Sequence, residues 1–117
     1  MISKELLSEV LGKEVTNIQK GCTENELKIT AYFGDARQSF HINIYELAHK
    51  CKECVISKGY DVLSGGLEAG LYSCYIDYSD KRYTLQMNPL HYEFADTEPE
   101  AIFKACQWIL DNKENKW

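Results

Sequence analysis

Two cysteines, Cys51 and Cys54, give the chain its single C-x-x-C spacing, a pattern that elsewhere binds zinc or exchanges disulfides. A redox pair places its first cysteine at the amino terminus of a helix, where the helix dipole lowers the thiol pKa. This pair instead falls about two turns inside a predicted helix. Zinc also needs further ligands, and no second C-x-x-C or close histidine pair supplies them. We therefore predict that both thiols pack in the core, and we assign no metal ligand and no cofactor.

The three histidines lie in separate predicted elements, so any histidine-based active site must be assembled by the fold. For a nucleophile–histidine–acid arrangement the best residues are Cys74, His91 and the Asp77/Asp80 region. No nucleophile elbow or other local signature marks them. We assign no catalytic residue, and a small enzyme with a site assembled by the fold stays as one alternative.

Two further segments have the composition of a site but a simpler structural explanation. The carboxylates of Glu93, Asp96, Glu98 and Glu100 surround the start of the last predicted helix, where the helix dipole stabilises negative charge. A paired-carboxylate active site is the other interpretation of this group. The segment "SGGLEAG" is rich in glycine, but it matches neither phosphate-binding motif and has no lysine to meet a phosphate. We predict that it is a loop.

Three helices are predicted from capping residues and from apolar residues at three-and-four spacing. Ser3 can cap a short helix over residues 4–11 that ends at Gly12. Asn43 can cap a second helix that ends at Gly59, and Thr97 with Glu100 forms a capping box for a third, within "ADTEPEAIFKACQWIL" at 95–110.

Strands are predicted where apolar and polar residues alternate. The segments are "EVTNIQ", "ELKITAYF", "SFHIN", "YDVLS", "LYSCYIDY", "YTLQM" and the short possible edge strand "HYEFA". Their order favours a single α+β domain over residues 1–117, with a polar tail at 111–117. We expect a largely antiparallel sheet of about five to six strands, two longer helices and a short amino-terminal helix.

The charge balance argues against a general nucleic-acid binder, because 18 Asp and Glu outweigh 13 Lys and Arg and give a net charge of −5. Such a surface suits a basic partner, and mimicry of nucleic acid is a second alternative function. The five cysteines are odd in number and lie mostly in periodic segments, which predicts free thiols in a reducing compartment. Without an apolar leader or an apolar run of about 18 residues, we expect a cytoplasmic protein that does not enter a membrane.

Tyrosine is abundant, with eight residues, and two of them predict a binding surface. Tyr32 and Tyr75 have the opposite parity to the apolar residues of their strands, so both rings should face outward. If the second face of the sheet is open, Leu67 and Leu71 would join them in a surface that binds a partner. The alternative is that the short first helix covers this face.

The carboxy-terminal two-thirds, residues 44–112, resembles the phage ABA sandwich family. The resemblance is carried by the motif at 95–110, with its capping Thr, its Pro and then Glu-Ala-Ile, and by the preceding "NIYELAHKCKE". It implies a phage or prophage accessory protein in a bacterial host cell, with no family catalytic residues to assign. Combined with the acidic charge, it leads to the hypothesis of a non-enzymatic protein that binds another protein or itself as a homodimer.

Overall fold

Helices and strands alternate along the chain in the computed structural model, which describes residues 2–78 and 89–112. The elements in chain order are α1 (Lys4–Leu11), β1 (Glu14–Lys20), β2 (Glu26–Phe33), β3 (Ala36–Asn43), α2 (Ile44–Ser57), β4 (Tyr60–Gly66), a 3-10 turn (Glu68–Gly70), β5 (Tyr72–Tyr78), β6 (His91–Ala95) and α3 (Glu98–Asp111). The predicted strand "YTLQM" lies outside the described residues.

Each helix begins at the predicted cap. The Ser3 hydroxyl accepts the Leu6 amide at 3.0 Å, and the Asn43 side chain accepts the Tyr45 amide at 2.8 Å. Thr97 accepts the amide of Glu100 in the same way at the start of α3. These side chains satisfy amides that the first turn of a helix leaves without a backbone partner, typically worth about 1 kcal/mol each.

Two of the helix ends show why glycine is required after them. Gly12 follows α1 with a φ of 67°, and its amide donates to the Ser8 carbonyl. Gly59 follows α2 with a φ of 96°. Because a side chain is strained in this left-handed region, glycine ends each helix without that cost.

The six described strands form two antiparallel three-stranded sheets, so the predicted α+β class is confirmed. Sheet A has the order β1-β2-β3 and sheet B the order β4-β5-β6. Within sheet A, Leu27 pairs with Ile42 and Ile29 with Phe40. Within sheet B, Ile76 pairs with Val62 on one side and with His91 on the other. The helix α2 separates the two sheets along the chain.

The core is a single cluster between the helices and the inner faces of both sheets. Helices α2 and α3 pack on each other, α3 lies on β5 and β6, and α1 lies on β1. The fully enclosed side chains are Leu6, Leu7, Ile29, Leu47, Cys51, Val55, Cys74, Ile76, Cys106 and Ile109. Burying a Leu or Ile side chain stabilises a fold by about 1.5–3 kcal/mol, so this cluster is the main source of stability.

Three of the five cysteines, Cys51, Cys74 and Cys106, are buried as small core residues, whereas Cys22 is exposed. All five are free thiols, as predicted, and Cys51 is fully buried while Cys54 is half-buried. The Cys106 thiol lies against α2, where it donates to the Cys51 carbonyl across 3.9 Å. Separately, none of the helices in residues 2–78 and 89–112 is both long and apolar enough to cross a membrane.

Candidate interaction surface

The short strand β6 turns its aromatic residues outward and its polar residues inward. Tyr92 and Phe94 are 52% and 40% exposed, whereas His91 and Glu93 are half-buried on the face that meets α3. A strand with one face on a core normally shows the opposite arrangement, because burial of apolar area is what stabilises the sheet. The orientation of β6 therefore exposes aromatic area that the core does not use.

The inward polar residues of β6 are held by partners. The His91 ring stacks on Trp108 of α3 with 4.2 Å between centroids and an interplanar angle of 6°. Its Nε2 lies 2.5 Å from a carboxylate oxygen of Glu93. On the other side, Lys104 of α3 donates to the Phe94 carbonyl at 3.2 Å. Because pairing offsets the cost of enclosing polar groups, β6 can keep its aromatic rings outside.

Cross-strand pairing extends the exposed rings into a continuous surface. Leu63 of β4 pairs with Tyr75 of β5, which pairs with Tyr92 of β6. The Tyr75 and Tyr92 rings lie 6.1 Å apart, and Tyr92 meets Phe94 edge-to-face at 5.4 Å. We call this surface the aromatic face and define it as Leu63, Leu67, Leu71, Tyr75, Tyr92 and Phe94.

A hollow of about 410 Å³ lies beside these rings on the β4 side. Its lining is formed by Leu63, Ser64, Gly65, Gly66, Leu67, Ser73 and Tyr75. Because Gly65 and Gly66 have no side chains, the backbone forms part of the floor and the three larger residues form the walls. The aromatic face thus combines a ridge of rings on β6 with a depression on β4, a shape that can receive a side chain of a partner.

The structure brings together three of the four predicted partner-binding residues. Leu67 and Leu71 face each other at the end of the β4–β5 hairpin, where the Leu67 amide donates to the Leu71 carbonyl at 2.7 Å. Tyr75 lies at the centre of the same face. Tyr32 is exposed as predicted but belongs to sheet A, beside Gly12 and Phe33, and is not part of the aromatic face.

Sequence reasoning missed Leu63, Tyr92 and Phe94. Leaving Tyr92 out of the predicted surface was wrong, because its ring is 52% exposed. The two-residue alternation of "HYEFA" does show that Tyr92 and Phe94 share a face. The alternative in which α1 covers the open face is also wrong, because Leu6 and Leu7 of α1 are in the core and the aromatic face stays exposed.

Carboxylates lie at the edges of the aromatic face. Asp61 of β4 and Asp77 of β5 face each other at the end opposite the Leu67–Leu71 pair. The Asp77 carboxylate is buried and accepts the Tyr78 amide at 2.8 Å. Glu68 is exposed next to Leu67. Of these carboxylates, only that of Glu68 is exposed at the edge of the face.

The residues considered for an active site do not form one. Cys74 and Asp77 point to opposite faces of β5, so a single site cannot contain both. The Nε2 of His91 meets Glu93, and burial raises the pKa of the Cys74 thiol, which keeps it protonated and weakens it as a nucleophile. Asp80 lies outside the described residues.

The carboxylates around the start of α3 have separate structural roles. Glu98 accepts a hydrogen bond from the Ser64 hydroxyl at 2.8 Å, and Ser64 accepts one from the Lys52 ammonium at 3.1 Å. This chain of contacts ties α3 to β4 and α2. Glu93 is engaged with His91 instead. Glu98 therefore holds elements together and Glu93 is engaged with a histidine, and these contacts do not resemble a pair of catalytic carboxylates.

Comparisons of the chain with protein-family models, with curated proteins and with solved structures found no match. We therefore base the functional proposal on the geometry of this surface.

Proposed function

We propose that the protein acts without catalysis, by binding another protein through the aromatic face. The observation that carries the proposal is the orientation of β6, which leaves Tyr92 and Phe94 in solvent while His91 and Glu93 occupy the inner face. Exposed aromatic residues around a hollow are typical of the centre of an interface, where Tyr, Trp and Arg contribute most of the binding energy.

The area of the aromatic face fits an interface that forms and dissociates. Its exposed side chains present roughly 400 Å² of apolar surface. An interface of standard size buries about 800 Å² on each partner, of which about 450 Å² is apolar. An obligate homodimer needs at least about 650 Å² of apolar surface on each subunit. The face therefore approaches the apolar area of a standard interface and is well below that of an obligate dimer.

Charge further defines the partner. The chain carries a net charge of −5, and the exposed Glu68 lies at one end of the aromatic face. A second copy would bring another chain of net charge −5 against this surface, whereas a partner with basic residues around an apolar centre would be attracted. The proposed occupant is therefore a protein that inserts an apolar side chain into the hollow and places lysine or arginine at the rim.

The setting that we propose is that of a phage or prophage accessory protein in the cytoplasm of a bacterial host. Its support is the resemblance of residues 44–112 to the phage ABA sandwich family, centred on the capped helix α3. In that setting the partner would be a protein of the host or of the phage.

The test compares two variants with matched exposure. Tyr92→Glu places a charge in the aromatic face, and Tyr45→Glu places one at a tyrosine of equal exposure, 53%, on α2. Immobilised wild-type protein should retain a basic protein from a bacterial lysate, Tyr45→Glu should retain it equally, and Tyr92→Glu should lose it. Raising the salt from about 0.05 M to about 0.5 M should weaken retention without abolishing it, because only the rim is electrostatic.

Three results would refute this proposal. Equal retention by Tyr92→Glu, in a variant shown by circular dichroism to be folded, would place the binding site elsewhere. A wild-type dimer that Tyr92→Glu dissociates in sedimentation analysis would make a second copy the occupant. Complete loss of the partner in high salt would favour the nucleic-acid mimic, whose binding is electrostatic.

A further inference from the structure

Three side chains of different metal-binding types meet at one end of sheet A, whereas the aromatic face lies on sheet B. Cys22 belongs to the turn between β1 and β2, Glu26 is the first residue of β2, and His41 lies on β3. One donor atom from each, the Sγ, a carboxylate oxygen and an imidazole nitrogen, lies within 4.8 Å of the other two. No metal ligand was predicted from the sequence, because the chain has no second C-x-x-C and no close histidine pair.

Antiparallel pairing explains how the fold brings them together. Glu26 pairs with Asn43, and Lys28 pairs with His41, so Glu26 and His41 are diagonal neighbours on one face of the sheet. The turn then returns Cys22 to the same end. Cys22 and His41 are exposed and Glu26 is half-buried, so an ion from solvent can reach all three donor atoms.

The turn is ordered by its own hydrogen bonds. The Gly21 amide donates to the Glu26 carbonyl at 2.8 Å, and the Glu26 amide donates to the Thr23 carbonyl at 3.2 Å. The Cys22 amide donates to Oε1 of Glu26 at 3.1 Å, which holds the carboxylate beside the cysteine. These contacts fix the Glu26 carboxylate relative to the backbone of Cys22 before any ion binds.

Gly21 is needed for the carboxylate to lie in this position. A Cβ on Gly21 would stand 2.8 Å from Cγ and from Oε1 of Glu26, closer than atoms of these types approach. Any other residue at position 21 would therefore push the Glu26 side chain out of its place beside Cys22. Glycine at position 21 therefore leaves space for the Glu26 side chain beside Cys22.

We infer that Cys22, Glu26 and His41 form a binding site for a transition-metal ion of the zinc class. Thiolate and imidazole ligands favour Zn²⁺ and its neighbours over Mg²⁺ and Ca²⁺, which prefer oxygen. Ligands of a tetrahedral zinc lie about 3.3–3.8 Å apart, so side-chain rotations that close the cluster by about 1 Å complete the geometry. Three protein ligands leave a fourth position for water or for a group from another molecule.

Cobalt provides the direct test, because Co²⁺ occupies zinc sites and gives absorption bands that report thiolate and tetrahedral coordination. Untagged wild-type protein, kept reduced, should bind one equivalent of Co²⁺ with a thiolate charge-transfer band, and Zn²⁺ should abolish the band by displacement. Cys22→Ser should lose the band. His41→Ala should weaken binding by at least about tenfold, since even residues behind metal ligands change affinity by that factor.

The matched controls are the other accessible thiol and another accessible histidine. Cys54 is half-buried on α2, and His49 lies one helical turn from Glu53, with 3.6 Å between Nε2 and the nearest carboxylate oxygen. Cys54→Ser and His49→Ala should bind Co²⁺ like the wild type. Zn²⁺ should raise the melting temperature of wild-type protein and of both controls, but not of Cys22→Ser, because an ion that binds only the folded state stabilises it.

Several results would overturn the inference. These are the absence of a thiolate band in wild-type protein, a band that survives Cys22→Ser, and a band that disappears in Cys54→Ser. A stoichiometry of one ion to two chains would also overturn it, because the ligands would then come from two molecules. Each of these outcomes is independent of the test of the aromatic face, which lies on the other sheet.

Discussion

Alkaline pH should destabilise the protein through two buried thiols, Cys74 and Cys106. Burial raises the pKa of Cys74, and the nearby Cys106 thiol adds to the shift. Hydrogen bonding with Cys51, followed by burial, raises the pKa of Cys106 well above the ordinary 9.0. The unfolded chain therefore releases both protons at a lower pH than the folded chain does. The stability that these thiols contribute is fully present below the unfolded pKa and is lost as the pH rises through and beyond it.

The size of the loss in stability follows from the difference in thiol ionisation between the folded and the unfolded chain. Between about pH 8 and about pH 10 the unfolded chain ionises each thiol, while the folded chain keeps both protons. For an unfolded pKa of 9.0, each thiol then lowers the free energy of unfolding by about 1.4 kcal/mol over this range, and the pair lowers it by about 2.7 kcal/mol. This is a large part of the stability of a small domain.

Urea unfolding followed by circular dichroism at several pH values, with a phosphine reductant present, measures this loss. Cys74→Ala and Cys106→Ala should each reduce the pH-dependent loss by about 1.4 kcal/mol. Both leave a small cavity, which lowers stability at every pH and therefore does not change the slope. The exposed Cys22 provides the control, because Cys22→Ala should leave the slope unchanged. The assignment of this effect to Cys74 and Cys106 would be refuted if the free energy of unfolding of the wild type stayed constant to about pH 10. It would also be refuted if Cys22→Ala reduced the pH dependence as much as Cys74→Ala does.

Two further substitutions test the packing and the helix cap. Leu47→Ala should lower the free energy of urea unfolding by about 2–5 kcal/mol, because Leu47 is fully enclosed, whereas Ile56→Ala on the exposed side of α2 should change it by less than about 0.5 kcal/mol. Equal effects would contradict the described core. Thr97→Ala should lower the free energy of unfolding by about 1 kcal/mol in the same assay, because the Glu100 amide loses its acceptor. Thr97→Ser should keep most of this stabilisation, because serine retains the hydroxyl. A Thr97→Ser variant as unstable as Thr97→Ala would argue against the cap.

Local signals in the sequence were sufficient for the helices. Ser3 and Gly12 determine both ends of α1, and the predicted range of residues 4–11 matches the structure. Thr97 likewise marks the start of α3. These predictions succeed because a cap and a left-handed glycine act on amides and carbonyls within one turn, so the information is contained in a few adjacent residues.

The division of the strands into two sheets was not predictable in this way. Alternation identifies residues that share a face of one strand, but pairing joins strands that are distant along the chain. Which face of β6 turns inward depends on its register with β5 and on the stacking of His91 against Trp108. Both are long-range contacts. The predicted surface therefore combined Tyr75, Leu67 and Leu71 with Tyr32 of the other sheet, and it lacked Tyr92, the most exposed ring of the aromatic face.

Dependence on long-range contacts also explains why part of the aromatic face could be predicted from the sequence and the metal site could not. The aromatic face is built from alternate residues of strands, so the two-residue alternation along β5 was enough to predict that Tyr75 faces outward. The donors Cys22, Glu26 and His41 come from a turn and two strands, and the β1–β2 turn together with the register of β2 and β3 brings them within 4.8 Å. No spacing rule can detect a cluster formed across a ladder. The C-x-x-C spacing of Cys51 and Cys54 therefore carried no information about the proposed site, whose ligands lie elsewhere in the chain.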